Sequence, residues 1–233
     1  MKTKIPHWDA IMAALEAWRQ GLEDEEETVL PGEQQVPSVT TVAEQYKRDP
    51  WAVLASTILS LRTKDAVTLI ASKALLERAL TPAELLSLPE DEIARLIYPA
   101  GFYRTKAASL KKIAAILCDQ YGGQVPADME ALLALPGVGR KTANLVLIEA
   151  FDMDGICVDV HVHRISNRTG WISSATPEQT EALLRQELPR KYWKGINALL
   201  VLYGQRVCRP VSPFCSRCVI GRHCERRGVE RSR

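Results

Sequence analysis

The feature that most constrains this chain is the ten-residue stretch Leu-Pro-Gly-Val-Gly-Arg-Lys-Thr-Ala-Asn at residues 135–144. Upstream of it, Asp128 can cap a short helix. Pro136 then stops that helix, because proline lacks the N–H of a helical residue and clashes with the preceding turn. Gly137 and Gly139 can adopt the positive φ angles that tight turns use. The stretch therefore predicts two helices joined by a tight turn.

The second helix of this hairpin is predicted to begin near Arg140 and to continue through an apolar run to Phe151. The first N–H groups of a helix have no partner within it and favour an anion such as a phosphate. Lys141 falls in this first turn, where the helix dipole and the neighbouring Arg140 disfavour a further positive charge. A lysine that gives up its proton readily is a candidate nucleophile, so Lys141 is the first candidate catalytic residue.

Two plainer interpretations of the stretch compete with this one. A nucleotide-binding phosphate loop needs a glycine directly before Lys-Thr and another five residues earlier. Those positions hold Arg140 and Leu135, so this interpretation is rejected. An ordinary turn with a solvated lysine would be the better interpretation of an isolated Gly-x-Gly. The motifs that follow argue against it.

A single acidic residue, Asp159, follows the apolar run at residues 156–158 and opens a predicted helix. Taken alone, helix capping is a better interpretation of Asp159 than catalysis. The two roles are compatible, because a carboxylate at a helix start can also stabilise developing positive charge.

Six cysteines occur in the chain, and four of them lie close together with the spacing Cys208-x6-Cys215-x2-Cys218-x5-Cys224. Zinc ribbons tend to pair two C-x2-C knuckles, and this array has one. Thiolates also suit an iron–sulfur cluster. Scattered buried thiols are a poor explanation for four cysteines within such a short segment. Cys118 and Cys157 lie in apolar surroundings and are interpreted as core thiols.

These motifs resemble, in kind and in order, those of the endonuclease III family of base-excision DNA glycosylases. The resemblance covers roughly residues 45–225, including the segment Val-Asp-Val-His-Val-His-Arg at 158–164. It implies an all-α fold of two helical domains with DNA in the cleft between them. Residues 43–153 would form a six-helix barrel domain carrying the helix-hairpin-helix. Residues 1–42 and 154–233 would form an iron–sulfur cluster domain, and the connector at 23–38 is longer than the family usually has.

The resemblance also implies a reaction. Lys141 would attack C1′ of a damaged nucleotide swung out of the duplex, expelling the base and leaving a Schiff base that permits β-elimination. Asp159 would stabilise charge at C1′ and take up the lysine proton. The four cysteines of the array would hold a structural [4Fe–4S] cluster and shape a basic loop that includes three arginines, Arg209, Arg217 and Arg222. The substrate would be double-stranded DNA with oxidised pyrimidines or abasic sites.

The hairpin residues Gly137, Gly139 and Arg140 are expected to bind DNA, and two loop residues are expected to reach the lesion. Phe102 aligns with the family's intercalating residue, where an exposed apolar side chain can fill a vacated stack. Its alternative is a partly buried loop aromatic. Arg62 stands where the family commonly has a glutamine that contacts the estranged base. Arginine can donate twice to guanine or bind phosphate, so opposite-base preference and substrate range stay open.

Other functions were weighed against a bifunctional glycosylase and lyase. An adenine mismatch glycosylase of the same superfamily lacks the equivalent of Lys141 and usually carries a further recognition domain, for which this chain leaves no room. A thymine mismatch glycosylase normally lacks that lysine too. From a different class, the chain could be a non-catalytic iron–sulfur module that binds DNA. The presence of both Lys141 and Asp159 argues against this, because binding requires neither.

Composition is consistent with this interpretation. Residues 1–50 carry five Lys/Arg against ten Asp/Glu, whereas residues 204–233 carry eight Arg against two Glu, so a polyanion would meet the C-terminal part. No apolar run reaches membrane-spanning length, and the N-terminus lacks the apolar core of a signal peptide. A cytoplasmic protein is therefore predicted. The helical density and short connections favour a monomer.

Apolar residues recur mostly at helical spacing, and no convincing strand is found. Four start signals stand out, at Thr41 (a capping box), Pro50, Thr81 (a capping box followed by proline) and Thr176. Beyond the hairpin, the predicted helices include residues 8–20, 64–79, 91–97, 105–121, 160–169, 177–188 and 192–206.

Overall fold

The structure, a computed structural model, describes residues 7–24 and 36–233 of the chain. The connector predicted at residues 23–38 falls largely outside these described residues. The described part contains helices and no strand, and the predicted all-α fold is confirmed. The helices are, in chain order, α1 (Trp8–Asp24), α2 (Ser38–Gln45), α3 (Pro50–Ser60), α4 (Asp65–Arg78), α5 (Pro82–Ser87), α6 (Glu90–Leu96), α7 (Tyr103–Gln120), α8 (Met129–Leu133), α9 (Arg140–Phe151), α10 (Val160–Thr169), α11 (Pro177–Glu187) and α12 (Ile196–Arg206).

These helices form two compact units. The hairpin unit contains α2 to α9, within residues 36–155. The cysteine unit combines α1 with residues 156–233, which hold α10 to α12 and three short 3-10 turns at Arg190–Tyr192, Cys215–Arg217 and Gly221–His223. Among the helices of the described chain, none is both long and apolar enough to cross a membrane.

The hairpin unit is built around α3, whose residues from Trp51 to Leu59 are all buried. Asp49 caps this helix by accepting a hydrogen bond from the Ala52 N–H at 2.8 Å, and Pro50 occupies the first turn, as predicted. Helices α2, α4, α7 and α9 pack against it. Because α9 carries the second half of the hairpin and α7 follows the Phe102 loop, this packing fixes both on one buried scaffold.

The cysteine unit has its own hydrophobic core. On α1, Trp8, Ile11 and Leu15 pack with residues of α10 to α12. Tyr203 on α12 is fully buried there, and the Trp18 ring meets it edge-on at 4.7 Å between centroids. An N-terminal helix thus completes the core under the C-terminal cysteines.

Most helix starts agree with the sequence predictions, and the one at Thr41 does not. The capping box at Thr81 is present in full, and Thr176 caps α11. Helix α2 begins at Ser38, three residues before Thr41, which lies inside the helix and donates to the Pro37 carbonyl. The reason is a distant cap: the Ser38 hydroxyl and N–H both donate to Asp65 Oδ1, at 2.7 and 3.3 Å. A carboxylate from the start of α4 replaces the local signal.

One further helix start was predicted too early. The helix expected at residues 192–206 begins at Ile196, after the 3-10 turn Arg190–Tyr192. Trp193 explains the interruption in part, because its indole N–H donates to the Leu188 carbonyl at 2.8 Å, across the turn.

Candidate active site and cysteine loop

The predicted hairpin is present between α8 and α9. Asp128 accepts from the Ala131 N–H at 2.8 Å and caps α8, as expected. Leu135 and Val138 are buried and anchor the turn, and the Val138 N–H donates to the Leu135 carbonyl at 3.1 Å. Gly137 has a φ of +79°, the left-handed conformation that glycine adopts without strain. The turn is therefore held by two buried side chains and one left-handed glycine.

Gly139 plays a different role from the predicted one. Its φ is −98°, and it is the N-cap of α9, without a side chain to bond the first N–H groups. Gly139, Arg140 and Lys141 are all exposed, whereas the helix from Thr142 to Ile148 is buried. A Cβ atom placed on Gly137 or Gly139 would meet no atom within 4 Å. The hairpin thus presents an open helix start with two adjacent cations, which suits close approach of a phosphate backbone.

Asp159 is the N-cap of α10, as the sequence indicated. Its Oδ1 atom accepts hydrogen bonds from the N–H groups of His161 and Val162, at 2.8 and 2.9 Å. In the described chain its other oxygen, Oδ2, accepts no hydrogen bond, and the side chain is half-buried. One oxygen therefore holds the helix start while the second remains open to a reacting group.

The four cysteines of the array lie on two 3-10 turns and the connections beside them. Cys208 is buried, and Cys215, Cys218 and Cys224 are half-buried. Burial raises the pKa of the Cys224 thiol, and the other three cysteines are near enough to raise it further through their charge. Arg168 also joins two of them, because its guanidinium contacts Cys208 Sγ and its carbonyl oxygen accepts from Cys224 Sγ at 3.8 Å. Within the described residues no three His, Cys, Asp or Glu side chains converge tightly enough for a single metal ion.

Three of these sulfur atoms receive hydrogen bonds, as the thiolate ligands of a metal cluster do. Arg168 is 8% exposed and donates from Nη1 to Cys208 Sγ at 3.4 Å. The buried Tyr203 hydroxyl donates to Cys218 Sγ at 3.1 Å, and the Arg226 N–H donates to Cys224 Sγ at 3.3 Å. A buried guanidinium is costly unless a negative charge is near. The donor set therefore fits a group that binds four thiolates, such as a [4Fe–4S] cluster, whose ligands stand further apart than those of one ion.

The basic character of the loop is organised by an aromatic ring. Three guanidinium groups lie over the Phe214 ring, those of Arg209, Arg217 and Arg233, at 5.2, 4.3 and 4.8 Å from its centroid. Arg209 and Arg217 were expected in this basic surface, and Arg233 was not. Arg222, the third expected arginine, donates to His223 Nε2 at 3.0 Å. The ring holds cations at the surface through cation–π contact.

Arg62 and Phe102, predicted separately from two loops, lie together. The Phe102 side chain is 62% exposed, so it is not the partly buried aromatic of the alternative interpretation. The Arg62 guanidinium lies 5.5 Å from the centroid of its ring. Both residues adopt left-handed backbone conformations, with φ of 53° and 56°. Such conformations are uncommon for residues other than glycine and are found where surrounding contacts impose them.

The remaining cysteines differ from each other. Cys157 is fully buried, as a core thiol should be. Cys118 is only half-buried on α7, so its interpretation as a core thiol was wrong. It lies near the C-terminal end of that helix, where one face turns to solvent.

Three residues of these sites escaped the sequence analysis. Lys106 lies among Ala107, Leu110 and Ile113 on the apolar side of α7, so its helical spacing could have predicted a buried lysine. Tyr203 follows Leu199 and Leu200 at helical spacing, which predicted burial but not its bond to sulfur. Nothing in the sequence marks Arg168 out from the other arginines, because its partners are carbonyl groups and a thiol some forty residues later.

Comparison with known proteins supports the resemblance found in the sequence. A family model described as "HhH-GPD superfamily base excision DNA repair protein" matches residues 55–190. The chain is 49% identical to Endonuclease III of Thermotoga maritima over 177 residues, which cover 76% of this chain and 83% of that protein. It spans about half the length of longer plant relatives that it also matches, from Arabidopsis thaliana.

Solved structures agree with these relatives. A non-covalent Endonuclease III–DNA complex matches with a TM-score of 0.75 at 30% identity, covering 93% of this chain and 94% of that one. A trapped Endonuclease III–DNA covalent intermediate, an estranged-adenine complex, matches with a TM-score of 0.73 at 30% identity, covering 89% and 96%. With its exposed hairpin and its helical fold, the chain belongs to the HhH-GPD superfamily of base-excision DNA repair proteins, and within it to the endonuclease III family.

Proposed function

We propose that this protein is a base-excision repair DNA glycosylase with abasic-site lyase activity that removes oxidised pyrimidines. The observation that carries the proposal is the exposed Lys141 in the first turn of α9, beside the open helix start at Gly139. A lysine in that place can reach a sugar carbon while the neighbouring N–H groups bind a phosphate.

The reaction follows from the nucleophile. The target nucleotide is first swung out of the stack, because C1′ cannot be reached inside a duplex. The neutral Lys141 amine forms a bond to C1′, and the bond from C1′ to the base nitrogen breaks, the base leaving with the electron pair and gaining a proton. Opening of the sugar ring gives a Schiff base between Nζ and C1′. Loss of a 2′ proton then breaks the bond from C3′ to its oxygen and cuts the strand.

Asp159 is assigned the electrostatic role. Its Oδ1 atom is committed to capping α10, so Oδ2 is the oxygen that would face positive charge developing at C1′. As the family resemblance implies, Asp159 would also receive the proton that Lys141 gives up before attack. A fixed cap is an advantage here, because a carboxylate that is already oriented does not have to be ordered during the reaction.

DNA contacts are assigned to the exposed residues already described. Gly137, Gly139 and Arg140 bind the phosphate backbone at the hairpin, through N–H groups and charge. Phe102 fills the stack that the damaged base has left, and Arg62 contacts the base opposite. The Phe214 ring with its three arginines adds phosphate contacts.

The four cysteines of the array would hold a [4Fe–4S] cluster. When bound, the cluster cross-links the loop and makes it rigid, and the proposed reaction requires no electron from it. The hydrogen bonds from Arg168, Tyr203 and the Arg226 N–H to sulfur would stabilise the thiolate ligands.

The domain division stays part of the proposal. Residues 43–153 would form the six-helix barrel domain and residues 1–42 with 154–233 the cluster domain, as the family resemblance implies. The compact hairpin unit of the structure extends beyond these bounds, because it contains the whole of α2 and ends at residue 155. The protein would act as a cytoplasmic monomer on the DNA there.

The test is trapping of the Schiff base with borohydride. Purified protein is incubated with duplexes that carry an abasic site, thymine glycol or no damage. We expect covalent adducts with both damaged duplexes, and their loss in Lys141→Gln with DNA binding largely retained. Adducts with the abasic duplex alone would support the lyase activity and contradict the proposed specificity for oxidised pyrimidines. No adduct with either would favour the non-catalytic DNA-binding module.

A further inference from the structure

A buried lysine lies directly beneath the two loops that carry Arg62 and Phe102. Lys106, in the first turns of α7, is 7% exposed. Its Nζ atom donates to three oxygen atoms of the Arg62 loop, namely Leu59 O at 2.7 Å, Leu61 O at 2.6 Å and Thr63 Oγ1 at 2.7 Å. An ammonium group has three N–H bonds, so each oxygen receives one.

Thr63 carries the connection on to the second loop. Its Oγ1 atom, besides accepting from Lys106, accepts from the Gly101 N–H at 3.0 Å. The two backbones are so close at this point that a Cβ atom on Gly101 would collide with the Arg62 carbonyl oxygen. Arg62 and Phe102, which lie at this contact, both have left-handed backbones.

Burying Lys106 and holding two left-handed backbones both reduce the stability of the folded chain. In the part of the chain that the structure describes, no carboxylate pairs with Lys106, and a buried cation without one is expensive. Burial lowers the pKa of Lys106 to about 8, so the side chain is still charged near neutral pH. The left-handed backbones of Arg62 and Phe102 add strain, because neither residue is glycine. A chain selected for stability alone would place an apolar residue here.

We propose that Lys106 is a positioning residue, which fastens the Arg62 turn to the Phe102 turn through Thr63 and presents both side chains to DNA as one preformed pair. The inference rests on the proposed function, because it assumes that Arg62 and Phe102 contact a damaged duplex. It adds a group that touches neither DNA nor the reacting atoms. Its effect is on recognition of the base opposite the lesion.

A preformed pair of Arg62 and Phe102 reduces the conformational entropy that is lost when DNA binds. If the two turns moved independently, each would have to be ordered when DNA binds, and that entropy would reduce affinity. With Lys106 in place, the ring enters the vacated stack with the guanidinium already beside it, at 5.5 Å from its centroid. The opposite base is then read by a group in a fixed position, so one base is distinguished from another more sharply.

The test compares dissociation constants for duplexes that carry tetrahydrofuran, an abasic analogue that cannot be cleaved, opposite each of the four bases. We expect Lys106→Met to weaken binding by about tenfold and to narrow the differences between the four opposite bases. Lys111→Met is the matched control, because Lys111 lies on the same helix and donates to a backbone carbonyl, that of Leu88, at 2.7 Å. It should bind like the wild type.

A second arm separates positioning from general support of the fold. In a protein that already carries Arg62→Ala and Phe102→Ala, adding Lys106→Met should change affinity by less than about twofold, since its effect passes through those two side chains. Should Lys106→Met fail to fold, Thr63→Val takes its place. It cuts the link to Gly101 but leaves two carbonyl partners for Lys106, and Thr63→Ser should restore wild-type binding.

The outcomes are distinct. Equal losses in the wild-type and the doubly substituted backgrounds would show a purely structural lysine and overturn the inference alone. Unchanged opposite-base preference in both Lys106→Met and Thr63→Val would overturn it too. A wild-type protein that binds damaged and undamaged duplexes equally well would overturn the proposed function, and this inference with it.

Discussion

The Nη1 atom of Arg168 lies 3.4 Å from the Sγ atom of Cys208 and donates a hydrogen bond to it. The same guanidinium donates to the carbonyl groups of Arg209 and Pro210, at 2.7 and 2.9 Å. It is 8% exposed and comes from the last turn of helix α10 in the cysteine unit. A single buried cation therefore ties the start of the cysteine loop to the helix that Asp159 caps.

Replacing Arg168 by leucine should weaken both the loop and the binding of the proposed cluster. Two carbonyl groups and one thiolate would lose their donor, and we expect a loss of about 2–4 kcal/mol in stability and less iron bound per chain. Iron and sulfide analysis and thermal unfolding measure the two effects. Arg78→Met is the control, because that guanidinium is 57% exposed in its pair with Glu92, and such pairs contribute less than about 1 kcal/mol. Full iron content in Arg168→Leu would contradict the assigned role.

Two substitutions at Asp159 separate helix capping from chemistry. Asparagine can still accept the His161 and Val162 N–H groups, so Asp159→Asn should keep its stability while losing the charge. Its glycosylase rate should fall by about two or more orders of magnitude. Asp159→Ala should lose about 1 kcal/mol of stability in addition. Single-turnover excision and urea unfolding measure these effects, and a stable Asp159→Asn protein of unchanged rate would rule out catalysis.

Local signals in the sequence predicted much of this arrangement. The hairpin, the cap at Asp159 and the cysteine array all depend on residues near one another in the chain, because capping and turn formation act over three or four residues. These features can be located from the local sequence alone, without knowing how the helices pack against each other. The helix predicted at residues 160–169 occurs with those bounds for the same reason, since Asp159 begins it and Gly170, with a φ of +81°, ends it.

What the sequence could not supply came from contacts distant along the chain. Ser38 begins α2 because Asp65 caps it, and no window around Thr41 contains that information. Lys106 was missed because its three oxygen partners lie more than forty residues earlier. A positive φ was predicted for both hairpin glycines. The prediction is confirmed at Gly137 and wrong at Gly139, which is the N-cap of α9 and has a φ of −98°.

The two hairpin glycines should respond differently to alanine. Gly137→Ala forces a Cβ into a φ of +79° and should lose about 1 kcal/mol of stability. Gly139→Ala meets no such strain, and its stability should hardly change. If phosphate approaches the open helix start, however, Gly139→Ala should bind abasic duplex about five- to tenfold more weakly.

The control for this pair is Gly195→Ala, because Gly195 is the N-cap of α12 and a Cβ there also meets no atom within 4 Å. Fluorescence anisotropy with tetrahydrofuran-containing duplex measures affinity, and urea unfolding measures stability. Gly195→Ala should match the wild type in DNA affinity. Equal affinities for Gly139→Ala and Gly195→Ala would mean that DNA does not approach the hairpin closely.

Lys106 should make the stability of the protein depend on alkaline pH. Burial lowers the pKa of this lysine from 10.5 to about 8 in the folded protein. Below pH 8 both folded and unfolded chains hold the proton. Between pH 8 and pH 10.5 the unfolded chain holds it and the folded chain releases it, so the free energy of unfolding contributed by Lys106 rises with pH.

The free energy of unfolding of the wild type minus that of Lys106→Met should therefore increase by about 1–3 kcal/mol from neutral pH to about pH 10. Urea unfolding of both proteins across this range measures the difference, in which the titration of the cysteines common to both cancels. A difference that stays flat would show that Lys106 keeps its ordinary affinity for the proton when folded, and one that falls would mean that the three oxygen atoms outweigh burial.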